Sequence, residues 1–258
     1  MRKLFPFKRT RTGPAAPAHA QPPEIREAQL AALYYGRRTG GDCYDFVRVS
    51  PTRVLFAVLD VAGKKDQNRG IVAAAQSTLR KTGAELLAEE DTNETDAMIE
   101  ICLQLNRSIR DAAGRVCPCP VFSGCYNEGL GTVCYFNAGH TPGLLRHETS
   151  ITELPATGLP LGLFSHCTPD ASIVALAPGS ALLVVSRGTV EARHKGEEFG
   201  LEQVKSSFRH AHAHTAKEIC DVVVHQMHEF MHKRPVKNDV TVLSLARPAA
   251  AKSMVARG

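Results

Sequence analysis

The sequence has no apolar run that approaches the roughly 18 residues of a membrane-spanning helix. Its N-terminus is basic but has no continuous apolar segment of the kind that a secretory signal peptide requires. It also has no internal repeat. From these absences we predict a single folded domain that does not span a membrane and that lies in the cytoplasm.

An excess of charge is found only at the N-terminus. The chain has 31 Lys and Arg residues against 26 Asp and Glu residues. Five of the basic residues precede the first acid, Glu24, so the remaining chain is formally neutral. A body without net positive charge gives no reason to predict binding to nucleic acid.

The two ends of the chain differ from the rest in composition. Residues 1–23 are basic and rich in Pro and Ala, which predicts a disordered tail. Contact of this tail with an anionic surface is the alternative. Residues 248–258 are predicted to be a frayed C-terminal tail. The folded domain is therefore expected to span residues 24–247.

The cysteines and histidines do not form a convincing metal or disulfide pattern. Cys43, Cys102, Cys134 and Cys220 lie in apolar segments, where a free thiol behaves as a small hydrophobic residue. The segment 117–119 (CPC) is too short for a CxxC motif, so we interpret it as a loop, with metal or redox use as the alternative. Two histidine groups are interpreted as solvated surface, with Zn²⁺ binding as the alternative. They are His210, His212 and His214, and His225, His228 and His232.

The hydrophobic pattern predicts an α+β fold. An opening strand within residues 24–35 and two strands on either side of residues 50–52 are followed by two helices. The first helix is predicted over residues 70–87, and the second is capped by Asn93 and ends at Gly114. Strands then return, Thr215 and Glu218 form a capping box for a further helix, and a last strand closes the chain. This order favours antiparallel sheets with helices outside over a βαβ repeat.

Two aspartates stand where apolar stretches begin or end. Asp42 follows two glycines, and Asp60 comes directly after the apolar run 54–59. Carboxylates placed in this way suit a hard divalent cation, which prefers oxygen ligands. Nearer the C-terminus, the two segments that a site of this type would next require contain Arg187 and the pair Asn238-Asp239.

Together, seven segments resemble the metal-dependent serine/threonine phosphatases of the PPM superfamily, specifically the SpoIIE/RsbU branch. The resemblance runs from about residue 31 to residue 245. It implies a four-layer α-β-β-α sandwich of two antiparallel sheets flanked by helices. The segments are 40–45 (GGDCYD), 60–63 (DVAG), 136–145 (FNAGHTPGLL), 158–162 (GLPLG), 186–192 (SRGTVEA), 196–200 (GEEFG) and 238–241 (NDVT).

The resemblance implies hydrolysis of phosphoserine or phosphothreonine on a bacterial signalling protein, such as a small regulator of the anti-anti-sigma type. In this family, two Mn²⁺ or Mg²⁺ ions activate the attacking water. By resemblance, Asp42 is expected to hold one ion and Asp60 to bridge both, while the backbone carbonyl of Val61 assists. Asp45 and His140 are expected to have structural roles.

The same resemblance indicates that two metal ligands are lost. The family's third aspartate corresponds to Arg187 and its fourth to Asn238. A guanidinium beside a dication is repelled by several kcal/mol at an effective dielectric of about 20. Asn238 still offers a neutral oxygen, and Asp239 is a replacement ligand if it turns into the site. We therefore predict one bound ion rather than two, and a reshaped loop over residues 63–66.

Two functions remain open at this point. The first is a metal-dependent phosphatase weakened by the loss of two ligands. The second is a pseudophosphatase that binds a phosphoprotein or regulatory partner without turnover, with Arg187 gripping the phosphate. In the simplest alternative, Arg187 only pairs with Asp60 or Asp239 and closes the site.

Overall fold

The computed structural model describes residues 21–35, 41–63, 65–211, 215–232 and 234–249, with residues 65–67 described by their backbone only. Most of the regular structure is two five-stranded sheets and four longer helices. In chain order the elements are β1 (Gln29–Tyr35), β2 (Asp42–Arg48), β3 (Arg53–Asp60), α1 (Lys65–Leu86), α2 (Glu94–Ala113), β4 (Val121–Asn127), β5 (Thr132–Ala138), β6 (Gly143–His147), β7 (Ser150–Leu154), β8 (Ser172–Ala175), β9 (Ser180–Val185), α3 (Arg187–Val190), β10 (Arg193–His194), β11 (Glu197–Glu198), α4 (Gly200–His210), α5 (Ala216–Phe230) and β12 (Val240–Ala246).

Each of the two large sheets is antiparallel throughout. Sheet I has the strand order β2-β3-β4-β5-β8, and sheet II has the order β1-β12-β9-β6-β7. The two-residue strands β10 and β11 form a separate small hairpin. The α+β class and the flanked double sheet predicted from the sequence are therefore confirmed.

Three apolar clusters correspond to the three interfaces between the four layers. The first packs α1 and α2 on sheet I and includes Leu79 and Met98. The second packs α4 and α5 on sheet II and includes Phe208 and Val223. The third joins the two sheets and includes Phe122. Residues of an antiparallel strand alternate between faces, so each sheet buries apolar side chains on both sides.

Strand β3 shows this arrangement most clearly, because all eight of its residues are buried. Leu55 and Leu59 face the helices, whereas Phe56 and Val58 face sheet II. The continuous apolar run of the sequence is thus explained by a strand covered on both faces, as predicted.

The helix ends agree with the sequence in three places and differ in one. Asn93 caps α2 by accepting from the backbone N–H groups of Thr95 and Asp96, and Gly114 ends it in the left-handed conformation. The capping box of Thr215 and Glu218 is present at the start of α5. However, α1 begins at Lys65 rather than at residue 70, so part of the loop predicted over residues 63–66 is helical.

Strand β7, the β10–β11 hairpin and helices α3 and α4 were not predicted.

All eight cysteines are free thiols, and every one except Cys167 is buried. None of the helices among the described residues combines the length and the apolar character that crossing a bilayer would need. Of the predicted tails, residues 1–20 and 250–258 lie outside the described residues, as do His212 and His214.

His140 braces the segment through which the chain passes from β5 in sheet I to β6 in sheet II. Its backbone N–H donates to Asn137 Oδ1 at 2.8 Å. Its ring Nδ1 lies 3.2 Å from the Thr141 carbonyl oxygen, while Nε2 is buried without a hydrogen-bond partner among the described residues. Burial lowers the pKa of His140 to about 4, against an ordinary value of 6.5.

This buried imidazole predicts that the fold loses stability in acid. The folded chain keeps His140 neutral, whereas the unfolded chain takes up a proton as the pH falls below 6.5, so the contribution is complete above 6.5 and is lost progressively towards 4. We expect His140 to account for a decrease of about 2 kcal/mol in the free energy of unfolding between pH 7 and pH 5. Urea unfolding of the wild type and of His140→Gln at both pH values measures it. An equal decrease in the two proteins would contradict the prediction.

Candidate functional site

Four strand ends meet at one edge of the double sheet. Asp42 begins β2 and Asp60 ends β3, and the register pairs these two residues directly. In sheet II, Arg187 lies two residues after the end of β9, and Asp239 directly precedes β12, the neighbour of β9. The residues that the sequence singled out are therefore brought together from both sheets.

A small cavity of about 100 Å³ lies between these strand ends. Its lining contains every predicted metal-ligand position and three glycines. The lining residues are Gly41, Asp42, Asp60, Val61, Ala62, Gly63, Arg187, Gly188, Asn238 and Asp239.

The Asp42 carboxylate is held by two hydroxyl side chains. Thr241 Oγ1 donates to Asp42 Oδ2 at 2.9 Å, and the Ser186 side chain is a second partner. Burial and the nearby charge of Asp60 raise the pKa of Asp42 to about 8, although both hydroxyl hydrogen bonds act in the opposite direction. The two hydroxyl groups hold the carboxylate at the first residue of β2. Burial there disfavours its negative charge unless a cation or a proton compensates it.

Asp60 is paired with Arg187. The Arg187 Nε lies 3.4 Å from Asp60 Oδ2 and 3.9 Å from Glu191 Oε1. Burial raises the pKa of Asp60, and the guanidinium of Arg187 opposes this increase. The Arg187 side chain is nevertheless 60% exposed, so the guanidinium faces solvent as well as the cavity. The pairing named above as the simplest alternative is therefore present, but it does not enclose Arg187.

Asp239 and Asn238 behave differently although they are adjacent. Asp239 is buried, and its Oδ2 accepts a hydrogen bond of 2.8 Å from the Tyr34 hydroxyl. Burial and Asp239 together raise the pKa of Tyr34. Asn238 is exposed at the rim of the cavity. Asp239, which the sequence analysis named as a replacement metal ligand, thus lines the cavity, but its Oδ2 is hydrogen-bonded to Tyr34.

The Val61 carbonyl is also engaged. Asn68, on the first turns of α1, donates from Nδ2 to the Val61 carbonyl oxygen at 2.9 Å. Gly41 packs so closely here that a Cβ at this position would lie 2.2 Å from the same oxygen. Residue 41 must therefore lack a side chain if Val61 and Asn68 are to keep these positions.

Gly188 fixes the approach of α3 to the segment that carries Asp239. A Cβ on Gly188 would lie 1.9 Å from the backbone oxygen of Asp239, a distance that real side chains do not reach. Since Arg187 and Asn238 flank these two residues, the glycine sets how near the guanidinium comes to the remaining carboxylates.

The residues present do not fit a pair of metal ions. Where a second ion would need a carboxylate there is Arg187, which pairs with Asp60, the expected bridging ligand. Within the part of the chain that is described, no three His, Cys, Asp or Glu side chains come together as a set able to hold a metal. A cation and an engaged bridging carboxylate disfavour a dication at this point.

Other candidate residues lie outside the cavity lining. Asp45 is fully buried and accepts two hydrogen bonds of 2.7 Å from Arg80, besides one of 2.9 Å from the backbone N–H of Phe46. Of the histidines, His225 and His232 are exposed, and the ring of His228 packs edge-on against Tyr35. None of these residues lines the cavity of Asp42 and Asp60.

Sequence reasoning missed three residues that position the site: Tyr34, Asn68 and Ser186. Tyr34 lies 205 positions from its partner Asp239 in the sequence, so no local pattern connects them. Asn68 was not singled out, because the helix that carries it was predicted to begin only at residue 70. The serine in segment 186–192 was the only one of the three within a recognised motif.

Comparisons with known proteins agree with this fold. The sequence profile of the family described as Stage II sporulation protein E (SpoIIE) matches residues 50–248. A comparison with curated protein sequences found no match.

Solved structures with the same fold include the SiaA-PP2C domain of Pseudomonas aeruginosa, with a TM-score of 0.70, 16% identity and coverage of 84% of each chain. The RsbU and RsbW domains of Rv1364c from Mycobacterium tuberculosis match with a TM-score of 0.70 and 21% identity, over 91% of this chain and 64% of that one. The PP2C phosphatase domain and regulatory-domain fragment of SpoIIE from Bacillus subtilis match with a TM-score of 0.71 and 15% identity, over 87% of this chain and 64% of that one. The chain thus spans somewhat less than two thirds of the last two structures.

The family profile covers more than half of the chain, and the double sheet with its flanking helices is that of the PP2C structures. The chain therefore belongs to the SpoIIE family, in the SpoIIE/RsbU branch of the PPM-type phosphatases.

Proposed function

We propose that this domain binds a phosphorylated regulatory protein in the cytoplasm and that its metal-dependent hydrolysis of phosphoserine or phosphothreonine is strongly weakened. The observation that carries the proposal is the position of Arg187. Its guanidinium lies beside Asp60, in the cavity where the family resemblance implies an aspartate, and the Arg187 side chain as a whole is 60% exposed.

A guanidinium in this position suits a phosphate group. It is always charged, and it offers several N–H donors in a plane that matches two phosphate oxygens. The ion pairs of Arg187 with Asp60 and Glu191 both involve Nε, at 3.4 and 3.9 Å. We infer that the phosphate of the partner replaces solvent on the exposed side of Arg187.

Slow turnover is the second candidate function. It is favoured by the carboxylates that remain, since Asp42, Asp60 and Asp239 all line the same cavity. If Mn²⁺ or Mg²⁺ binds, we expect one ion rather than two, near Asp42 and Asp60, and such an ion would supply Lewis-acid activation of water. For that binding, Asp60 has to be released from Arg187.

Two of the proteins with this fold suggest the class of partner. One structure contains the RsbU and RsbW domains of Rv1364c from Mycobacterium tuberculosis, and another is described as the bacterial stressosome. By this analogy we propose a small phosphorylated regulator of the anti-anti-sigma type.

Binding that depends on phosphate tests the proposal. We expect a fluorescent peptide with one phosphoserine among glycine and alanine residues to bind the full chain more tightly than its unphosphorylated form. Arg187→Gln should lower the affinity for the phosphopeptide by about tenfold or more, because charge-assisted hydrogen bonds to a phosphate contribute about 1.5–3 kcal/mol. Fluorescence anisotropy measures the affinity, and released phosphate measures turnover.

Arg209→Gln is the matched control, since Arg209 is an exposed arginine on α4 that does not line the cavity. It should bind the phosphopeptide like the wild type. Equal affinity of the wild type for the two forms of the peptide would contradict the proposal, as would rapid release of phosphate by the wild type.

A further inference from the structure

A second, larger pocket adjoins the candidate site. It has a volume of about 540 Å³ and lies between the β10–β11 hairpin and the segment that follows α5. Gly188 and Asn238 line both this pocket and the cavity of Asp42 and Asp60. A ligand that enters one of them therefore reaches the rim of the other.

The rim of this pocket is strongly basic. Arg193, Lys195, Arg234 and Lys237 line it, against a single acid, Glu191. All four basic residues are exposed. The positive charge of Arg193 is partly offset by its ion pair with Glu198. The negative charge of Glu191 is partly offset by Arg187, whose Nε lies 3.9 Å away.

The pKa of the neighbouring His194 also indicates a positive environment. Burial, together with the charges of His232, Arg234 and Lys195, lowers the pKa of His194, and the charge of Glu197 opposes this decrease. Because the chain after residue 23 is formally neutral, this basic patch is a local concentration of charge and not a property of the whole surface.

The floor of the pocket is apolar. Ala192, Met231 and Val236 line it, and each is less than a tenth exposed. An apolar floor beneath a basic rim is complementary to a peptide that carries acidic side chains around an apolar one. A free anion would satisfy the rim and leave the floor without a partner.

We propose that this pocket binds an acidic segment of the protein partner, next to the phosphorylated residue in its sequence. The identity of that partner as a phosphoprotein rests on the proposed function. The recognition of acidic side chains does not, since it uses charges and a floor that lie outside the phosphate site. The pocket then supplies partner specificity, while Arg187 supplies phosphate recognition.

A glutamate-rich peptide with a central leucine and no phosphate is the probe. We expect it to bind the full chain at low salt, and to bind more tightly than a peptide in which glutamine replaces every glutamate. Lys195→Glu plus Arg234→Glu should weaken the binding at least tenfold, measured by fluorescence anisotropy. The control Lys81→Glu plus Lys217→Glu makes the same change in net charge on exposed helical positions and should leave the affinity unchanged.

The proposal would be overturned by no preference for glutamate over glutamine, by an equal loss of affinity in the control variant, or by stronger binding of a single-stranded oligonucleotide at the same pocket. The proposed function fails separately, through loss of the phosphoserine preference that depends on Arg187. Arg187→Gln should leave the affinity for the glutamate-rich peptide within twofold of the wild type. A larger decrease would also overturn the proposal, because it would place the acidic peptide in the phosphate site.

Discussion

Restoring two carboxylates at the candidate site should raise phosphatase activity by about a thousandfold, which corresponds to about 4 kcal/mol in the activation barrier. The change is Arg187→Asp plus Asn238→Asp, at the two positions where the family resemblance implies aspartates. It removes the cation that pairs with Asp60 and adds anionic oxygen ligands to the cavity. The measurement is hydrolysis of p-nitrophenyl phosphate with excess Mn²⁺.

Two further variants separate metal chemistry from a general effect of charge. Adding Asp60→Asn to the restored protein should abolish the gain, because Asp60 is the expected bridging ligand. Lys81→Asp plus Gln203→Asp makes the same change in net charge at exposed positions outside the cavity, and it should leave the activity at the wild-type level.

Ion binding gives a readout independent of turnover. Calorimetric titration with Mn²⁺ should show at least one more bound ion in the restored protein than in the wild type. A wild type that already equals the restored protein in rate and in ion count would show that Arg187 and Asn238 do not impair the site.

The sequence predicted most of the fold because its local signals and the tertiary packing agree. The run 54–59 is apolar on both faces of its strand, and β3 is covered by helices on one side and by sheet II on the other. The caps at Asn93 and Thr215 are side-chain interactions within one turn, so they can be read from spacing alone.

The wrong start of α1 and the failure to predict α4 also have physical reasons. The start of α1 was predicted at Gly70 because the helical spacing of apolar residues begins at Ile71, whereas residues 65–69 are all polar. In the structure Gly70 is an exposed interior residue of α1, where its low helix propensity is tolerated. Helix α4 has a short apolar stripe in which Val204 and Phe208 are one turn apart, and no side-chain hydrogen bond from its N-cap residue Phe199 marks where it begins.

For the site, the sequence indicated which residues meet but not how they pair. The Arg187–Asp60 ion pair was one of several arrangements open to a long, flexible side chain. Tyr34 was not identified because Asp239 comes next to it only when β1 pairs with β12 in sheet II. Asn68 was not identified because its contact with Val61, seven residues away, depends on α1 beginning at Lys65.

Removing the Glu94 carboxylate should destabilise the fold by about 3–5 kcal/mol. Glu94 begins α2, and its Oε1 accepts hydrogen bonds of 2.6 Å from Arg53 Nε and from Asn127 Nδ2. The Arg53 side chain is only 4% exposed, so Glu94→Ala leaves a buried cation without its counter-ion. Arg53 would keep only its bonds to the carbonyl oxygens of Glu89 and Glu90. Urea unfolding at pH 7 measures the change.

Two controls make the result specific to burial. Glu94→Gln keeps an oxygen acceptor for Arg53 without the negative charge, so its loss of stability should fall between those of the wild type and Glu94→Ala. Asp221→Ala breaks the exposed Lys217–Asp221 pair on α5 and should cost less than about 1 kcal/mol, because solvent screens such pairs. If Glu94→Ala costs no more than Asp221→Ala, the attachment of α2 to strands β3 and β4 does not depend on this ion pair, and apolar packing alone holds that layer in place.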